Sequence, residues 1–326
     1  MSDRRTLLGA VFGVVFSAPS TAFAQPQSPN LRRIGFLGSE SASNEATRFE
    51  TLRAGLRDLG YVESKNIVIE IRLADGNYDR LPALAAELVG LKVSAIVTAG
   101  TKATLAAKRA TTTIPIVMSS GGDPLALGLV TNLARPRGNI TGLTSFGSEV
   151  SAKRLELLKE ALPRITRVAF LVNPAEPPTA LLAMEPVAKA LKLDLSLFEA
   201  RTPSELDSAF VAMLQRRADA VVLQMDTLFA ANAKAIADFA LKHRLPSAGN
   251  VAFAEAGGMI GSGANSVEGY RRAATYVDKI LKGANPSDLP IEQASKFHLI
   301  INLKTARALG ITIPQSLRLR ADDLIQ

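Results

Sequence analysis

The chain of 326 residues contains no cysteine and no tryptophan, and it has only two histidines. The absence of cysteine excludes disulfide bonds, thiolate nucleophiles and metal sites built on thiolates. A Ser-His-Asp triad needs a well-placed histidine. His243, however, falls at the end of a predicted helix, and His298 falls in an alternating strand pattern. No Gly-x-Ser-x-Gly elbow and no Walker loop occurs. We therefore predict no enzymatic activity, no cofactor and no bound metal.

Aromatic residues are also scarce, at 5% of the chain, although the formal net charge is +8. Proteins that bind nucleic acids combine clustered basic residues with aromatic side chains that stack on bases. The lysines and arginines of this chain are instead spread over predicted helix faces. We interpret the charge as a solvated surface and predict no nucleic-acid partner.

The first 24 residues show the pattern of a secretory signal peptide. Arg4-Arg5 supplies a basic head, Leu7 to Phe16 an apolar middle, and Ala22-Phe23-Ala24 a small-x-small cleavage site. The apolar run is shorter than the ~20 residues that cross a bilayer. We predict that residues 1–24 are removed, that residues 25–31 form a polar tether, and that the mature protein is periplasmic. The twin arginine is compatible with both Tat and Sec export.

Strand-like and helix-like patterns alternate along the rest of the chain. Arg33–Gly38 is an apolar run of strand length, whereas Phe49, Leu52 and Leu56 recur at helical spacing. Ile67–Arg72 alternates apolar and polar residues, which is typical of a strand near a sheet edge. Such alternation predicts parallel sheets with helices on both faces. About 300 residues are too many for one small core and fit two α/β lobes.

Two glycine-rich segments, Gly138–Ser145 and Gly257–Asn265, interrupt this alternation, and we interpret them as passages between the lobes. A last helix and strand that return to earlier lobes give a third crossing. We therefore predict a two-lobed clamp with a hinge. Its first lobe comprises residues 32–142 and 264–290, and its second lobe residues 143–263 and 291–326.

Small polar residues follow the predicted strands in both lobes. Ligands of parallel α/β sheets bind beyond the carboxyl ends of the strands, where hydroxyls and helix-start amides hold anions. In the second lobe, Asp226 could accept a hydrogen bond from a ligand ammonium. The same residue types are ordinary helix N-caps, so each position has a structural alternative. The candidate ligand contacts are Ser39, Gly100, Thr101, Ser119, Ser120 and Asp123 in the first lobe, and Asn173, Asp226 and Asn250 in the second.

Several segments, taken in chain order, carry a resemblance to a known family: Ala95–Thr104, Ile114–Pro124, Leu133–Leu143, Val172–Pro174, Gln224–Thr227 and Phe297–Pro314. They resemble the TrpX-like group of periplasmic substrate-binding proteins of ABC transporters, over nearly all of Arg32 to Pro314. The resemblance implies a type I periplasmic-binding fold, with two Rossmann-like lobes, a three-strand hinge and a ligand in the cleft. It also implies ligand contacts in the loops at Ser39, Thr101, Ser120–Asp123, Asn173 and Asp226.

Two features depart from what an aromatic ligand would need. Lys102 places a cation beside the first-lobe loop, which favours a ligand that carries a carboxylate. Few aromatic side chains are available for stacking, and Phe36, Phe146, Phe229 and Phe253 are the nearest candidates.

Together these patterns predict the solute receptor of an ABC importer. The expected ligand is an amino acid or another small carboxylate, and the expected partner is a permease in the inner membrane. The receptor is expected to be a monomer. The alternative that the sequence leaves open is a periplasmic sensory module, which hands its ligand-bound state to a membrane signalling receptor.

Overall fold

The computed structural model describes residues 31–145, 147–264, 266–293 and 297–326. The predicted signal peptide, the tether as far as Asn30, and Phe146 lie outside these ranges. Within them, no helix combines the length and the apolar character that a bilayer crossing requires.

The strands, numbered in chain order, are β1 (Arg32–Gly38), β2 (Ile67–Leu73), β3 (Ile96–Ala99), β4 (Ile116–Ser120), β5 (Ile140–Thr144), β6 (Arg167–Val172), β7 (Asp194–Glu199), β8 (Ala220–Leu223), β9 (Ser247–Gly249), β10 (Ile260–Ala264), β11 (Ile291–Gln293), β12 (Phe297–Asn302) and β13 (Asp323–Ile325). The helices are α1 (Ala42–Asp58), α2 (Leu81–Gly90), α3 (Thr101–Ala110), α4 (Gly147–Ala161), α5 (Thr179–Ala190), α6 (Leu206–Gln215), α7 (Thr227–Ala231), α8 (Ala233–Lys242), α9 (Val251–Glu255), α10 (Ser266–Leu281), α11 (Leu303–Ala308) and α12 (Gln315–Arg320).

The first lobe is built on a six-stranded sheet with the order β11-β5-β4-β3-β1-β2. Its strand pairs are all parallel, and β2 lies at one edge as its alternating pattern predicts. Phe49, Leu52 and Leu56 of α1 are buried and pack with α10 on one face of this sheet. The other face is covered by α2 and α3. The predicted helix periodicity therefore identifies the buried stripe of α1.

The second lobe is built on a seven-stranded sheet with the order β13-β12-β10-β9-β8-β6-β7. Its strands are parallel except for β10 and β12, which pair antiparallel. The predicted parallel α/β sheets are confirmed, and the β10–β12 pair is the antiparallel exception. The reason lies in the connections, because β10 leaves the second lobe at its carboxyl end and β12 enters that lobe at its amino end.

The chain passes between the sheets at three places: after β5, after β10, and between β11 and β12. This agrees with the predicted three-strand hinge. The predicted boundaries, however, are shifted. β5 stays in the first sheet as far as Thr144, and β11 pairs with β5 in that sheet, so residues 291–293 do not belong to the second lobe. Most of the glycine-containing segment Gly138–Ser145 is therefore the buried strand β5, and the crossing to the second lobe comes after it.

The carboxyl-terminal segment is more ordered than its polar sequence indicates. Asp322 lies just before β13, and Asp323 is its first residue. The Asp322 carboxylate accepts a hydrogen bond from the backbone N–H of Leu299 at 2.8 Å, and Asp323 lies 3.0 Å from the His298 ring. Pairing with β12 therefore organises these acidic residues.

Candidate functional site: the cleft between the lobes

A cavity of about 760 Å³ lies between the lobes, where the carboxyl ends of both sheets face each other. All of the predicted ligand contacts except Asp123 and Asn173 line this cavity, namely Ser39, Gly100, Thr101, Ser119, Ser120, Asp226 and Asn250. Sites in parallel sheets lie beyond the carboxyl ends of the strands, and this rule correctly predicts that most of these residues lie at one cavity. Whether they contact a ligand stays a prediction.

The first-lobe wall presents hydroxyls and helix-start amides. The Ser39 side chain is buried, and its Oγ has no hydrogen-bond partner among the described residues. Thr101 begins α3, whose first turn has no side-chain cap, so its N-terminal amides are available to an anion. Gly100 precedes this helix with φ of +92°. A Cβ at Gly100 would lie 3.7 Å from Thr227 of the opposite lobe, an ordinary contact distance, so the positive φ rather than lack of space favours glycine here.

Ser119 has a structural role in this wall. Its hydroxyl donates a hydrogen bond to the carbonyl of Thr98 at 2.9 Å and thereby ties β4 to β3. Ser120, at the end of β4, is less buried and also lines the cavity.

A buried charged network that the sequence did not reveal completes the first-lobe wall. Arg48 on α1 donates to the Glu40 carboxylate at 3.1 Å and lies 3.6 Å from the Glu45 carboxylate. Tyr270 on α10 donates to the other oxygen of Glu45 at 3.0 Å. Burial raises the pKa of Glu45 to about 6 against the opposing effect of Arg48. The carboxylates neutralise Arg48 within this lobe. Only helical spacing on α1 linked Glu45 and Arg48 in the sequence, and such spacing is typical of any surface ion pair.

The second-lobe wall presents carboxylates. Asp226 caps α7, since its Oδ1 accepts a hydrogen bond from the backbone N–H of Leu228 at 2.8 Å. Its Oδ2 accepts hydrogen bonds from the Asn173 amide at 3.3 Å and from the hydroxyl of Tyr78, in the first lobe, at 3.0 Å. Burial raises the pKa of Asp226 above its ordinary range despite these hydrogen bonds. Asp226 is therefore both the predicted helix cap and a cavity residue.

A second carboxylate, Glu176, lies in the loop after β6 and lines the same wall. Burial, together with the nearby Asp226 charge, raises the pKa of Glu176 to about 7, while Lys102 from the opposite lobe lowers it. Among the described residues, no lysine or arginine lies within ion-pairing distance of either carboxylate. Sequence reasoning missed Glu176, although its place just after a strand end was a usable signal.

Two of the predicted contacts do not line the cavity. The Asp123 carboxylate accepts hydrogen bonds from the backbone of Leu125 at 2.8 Å and of Ala126 at 3.3 Å, so it organises a turn. Asn173 is buried behind the wall, where its amide orients Asp226. Asn250 does line the cavity, and it also caps α9 by accepting from Phe253 N–H at 2.8 Å.

The predicted aromatic candidates are wrong for the described residues. Phe36, Phe229 and Phe253 are at most 2% exposed and belong to the lobe cores, because their positions point into the sheet–helix interfaces. Tyr270 is the aromatic residue that lines the cavity in the described part of the chain. Nor do the described residues contain a group of histidines and carboxylates able to hold a metal ion.

The sequence also matches a known protein family. The family of ABC transporter substrate binding proteins matches residues 39–325. The chain belongs to this family. It is 26% identical over 264 residues to a tyrosine-binding protein of Clostridioides difficile, a match that covers 78% of this chain and 74% of the relative.

Solved structures of this family of substrate-binding proteins share the fold. A Streptococcus pneumoniae domain in complex with L-Trp superposes with a TM-score of 0.83 at 24% identity, over 90% of this chain and 100% of that one. A ligand-free, open substrate-binding protein of Clostridium difficile gives a TM-score of 0.66 at 22% identity, over 91% of this chain and 99% of that one. The architecture is that of type I periplasmic binding proteins.

Proposed function

We propose that this protein is the solute receptor of an ABC importer and that it binds a zwitterionic amino acid between its lobes. One observation carries the proposal. A wall of hydroxyls and free helix amides faces a wall whose two carboxylates have no lysine or arginine within ion-pairing distance among the described residues. An amino acid brings a carboxylate for the first wall and an ammonium for the second.

The first-lobe wall supports the binding of the ligand carboxylate. The N-terminus of α3 has free amides and the positive end of a helix dipole, which together stabilise an anion. The unpartnered Ser39 Oγ would gain a hydrogen bond that the protein does not supply. Lys102 adds a positive charge at the same helix start.

The second-lobe wall supports the binding of the ammonium. Asp226 is buried and Glu176 is half-buried beside it, and such a pair of carboxylates is costly unless a proton or a cation neutralises it. Asp226 is held in place by Leu228 and Asn173, so its orientation is set before a ligand arrives. A ligand ammonium would donate charge-assisted hydrogen bonds to Asp226 and Glu176.

The relatives with higher identity support an amino acid, whereas two neighbours of 14–16% identity were solved with the aromatic carboxylates benzoate and 3,4-dihydroxybenzoic acid. Of the relatives with higher identity, one is a tyrosine-binding protein, and another has been solved with L-Trp. The cavity volume of about 760 Å³ lies within the usual range of small-molecule sites and accommodates a large side chain.

The proposed transport cycle needs no covalent chemistry. The ligand docks on one lobe, the lobes close about the three-strand hinge, and the closed form meets the permease. Closure is favoured only by contacts that the ligand gains in the closed state. Export fits this role: we propose that the leader is removed after Ala24 and that the monomeric receptor diffuses in the periplasm. The amino-terminal sequence of protein recovered from the periplasm tests the cleavage site.

The ligand experiment separates the two walls. Purified protein is screened by thermal shift against the twenty common L-amino acids. Each amino acid that stabilises the protein is then compared by calorimetry with two analogues, one lacking the amino group and one lacking the carboxyl group. Both analogues should bind at least ten times more weakly than the amino acid. Equal binding of the analogue without an amino group would show that the ligand is a simple carboxylate and would overturn the proposal.

A further inference from the structure

A tyrosine outside the cavity joins the two lobes. Tyr78 lies in a single 3₁₀ turn, Tyr78–Arg80, which follows β2 in the first lobe. Its ring packs against the first-lobe core, but its hydroxyl reaches the start of α7 in the second lobe. There it donates to Asp226 Oδ2 at 3.0 Å and is hydrogen-bonded to the Thr227 hydroxyl.

The position of Tyr78 distinguishes it from a ligand contact. It is not among the residues that line the cavity, so it approaches Asp226 from behind the wall. The other hydrogen bonds to the Asp226 carboxylate come from Leu228 and Asn173, both within the second lobe. The Tyr78 bond is thus the one that spans the cleft, and separation of the lobes would break it.

We infer that Tyr78 is a closure latch, which stabilises the closed arrangement by adding a hydrogen bond to the already oriented Asp226 carboxylate when the lobes are together. The latch remains a hydrogen-bond donor throughout the neutral range, because burial and the Asp226 charge raise the pKa of Tyr78. A hydrogen bond to a charged group changes an equilibrium by about tenfold or more. The role of the latch in ligand binding rests on the proposed function, whereas its role in closure does not.

The chain provides a matched control. Tyr61 donates an equivalent hydrogen bond to the Asp278 carboxylate at 3.0 Å, but both partners belong to the first lobe. Tyr61→Phe and Tyr78→Phe therefore remove the same chemical group, one within a lobe and one between lobes. Both variants keep the ring, so both should fold, and circular dichroism checks this.

Closure is measured without any ligand. The chain has no cysteine, so Ala126→Cys places a single spin label in the exposed loop beside the first-lobe wall. The label broadens amide signals of the second lobe in proportion to the closed population, even when that population is small. Tyr78→Phe should reduce this broadening about tenfold, while Tyr61→Phe should leave it unchanged. Equal broadening in the parent and in Tyr78→Phe, or none in the parent, would overturn the latch.

A second measurement separates the latch from the ligand proposal. Dissociation rates are measured with L-tyrosine as the probe, or with the best binder of the amino-acid screen if L-tyrosine does not bind. The ligand should leave Tyr78→Phe about tenfold faster than it leaves the parent. Absence of binding by every amino acid would reject the proposed ligand class, while the ligand-free spin-label result would still decide the latch.

Discussion

The two walls of the cleft treat buried charge in opposite ways. On the first-lobe wall, Arg48 lies between Glu40 and Glu45, and Tyr270 satisfies a further oxygen. On the second-lobe wall, Asp226 and Glu176 are hydrogen-bonded or buried, but no lysine or arginine in the described part of the chain pairs with them. On the first wall, both carboxylates have a cation partner, Arg48, within the protein itself. Charge on the second wall is left to be balanced by what enters the cleft.

This difference suggests different roles for the two walls. The first-lobe wall is structural, and the second-lobe wall is the one that we propose binds a cationic group, and we call it the receptive wall. A closed ion-pair network keeps its geometry whether or not a ligand is present. A buried Asp226 beside a half-buried Glu176 is instead at high free energy until a proton on Glu176 or a cationic group lowers the repulsion. The same contrast appears between two buried arginines, Arg48 with its carboxylates and Arg154 on α4. Arg154 is fully buried and donates to the carbonyls of Leu223 at 3.1 Å and Ser262 at 2.6 Å, and desolvation lowers its pKa to about 9.

The largest effect should separate these two arginines. Arg48→Met leaves Glu40 and Glu45 buried without a cation and should lower the free energy of unfolding by about 3–5 kcal/mol. Arg154→Met removes a desolvated charge along with its hydrogen bonds to carbonyls, so its cost should be about 1 kcal/mol. Urea unfolding of both variants measures the difference. Equal losses would show that the carboxylate partners of Arg48 are unimportant.

The next effect concerns the receptive wall. Asp226→Asn keeps the helix cap but removes the negative charge, so affinity for an amino acid should fall about a hundredfold, or ~3 kcal/mol. Asp123→Asn is the control, because Asp123 organises a turn outside the cavity and its replacement should leave affinity unchanged. Calorimetry with the best amino acid of the screen gives both values. Wild-type affinity in Asp226→Asn would remove this carboxylate from the binding site.

A smaller effect is expected on the first-lobe wall. Thr101→Val removes one hydroxyl at the start of α3, so affinity for the amino acid should fall about tenfold. The analogue without a carboxyl group should bind the variant and the parent equally, because the proposed position of the ligand carboxylate is at this helix start. The hydroxyl also accepts a hydrogen bond from Gly122 N–H at 3.0 Å, so circular dichroism checks that the variant folds. The two dissociation constants for each protein provide the comparison. A similar loss for both ligands would place Thr101 away from the ligand carboxylate.

The smallest effect is a dependence on pH. Glu176 has an ordinary pKa of 4.5 that is raised to about 7 in the folded protein, so the folded state holds a proton that the unfolded state has released. Between these values the stability of the ligand-free protein should fall as pH rises, while affinity for an ammonium should increase severalfold. Glu176→Gln should weaken both trends. Melting temperatures and calorimetry at about pH 5.5 and 7.5 test this, and unaltered pH profiles in the variant would contradict it.

Much of the fold was accessible from the chain alone. Helix periodicity located α1 and its buried stripe, and the alternation of Ile67–Arg72 placed β2 at a sheet edge. The expectation that ligands bind beyond the carboxyl ends of parallel strands correctly placed Ser39, Thr101 and Asp226 at one cleft. These successes depend on local patterns, because residues that are near in sequence share one element and one face.

The failures share a cause as well. The antiparallel pairing of β10 with β12 depends on the hinge crossings. Phe36 is a core residue because of the helix that covers its sheet face. Asp123 and Asn173 have the residue type of ligand contacts, but their neighbours engage them elsewhere.

The sequence by itself determined two cysteine-free α/β lobes and the strand ends that line the cleft, and the pattern of residues 1–24 predicts export. Only the tertiary structure decided which charges are paired, since Arg48 meets Tyr270 through Glu45 across more than 200 residues and Tyr78 meets Asp226 across 148. The physical reason is that helix and strand patterns are properties of neighbouring residues, whereas the balance of buried charge depends on which distant segments the fold brings into contact.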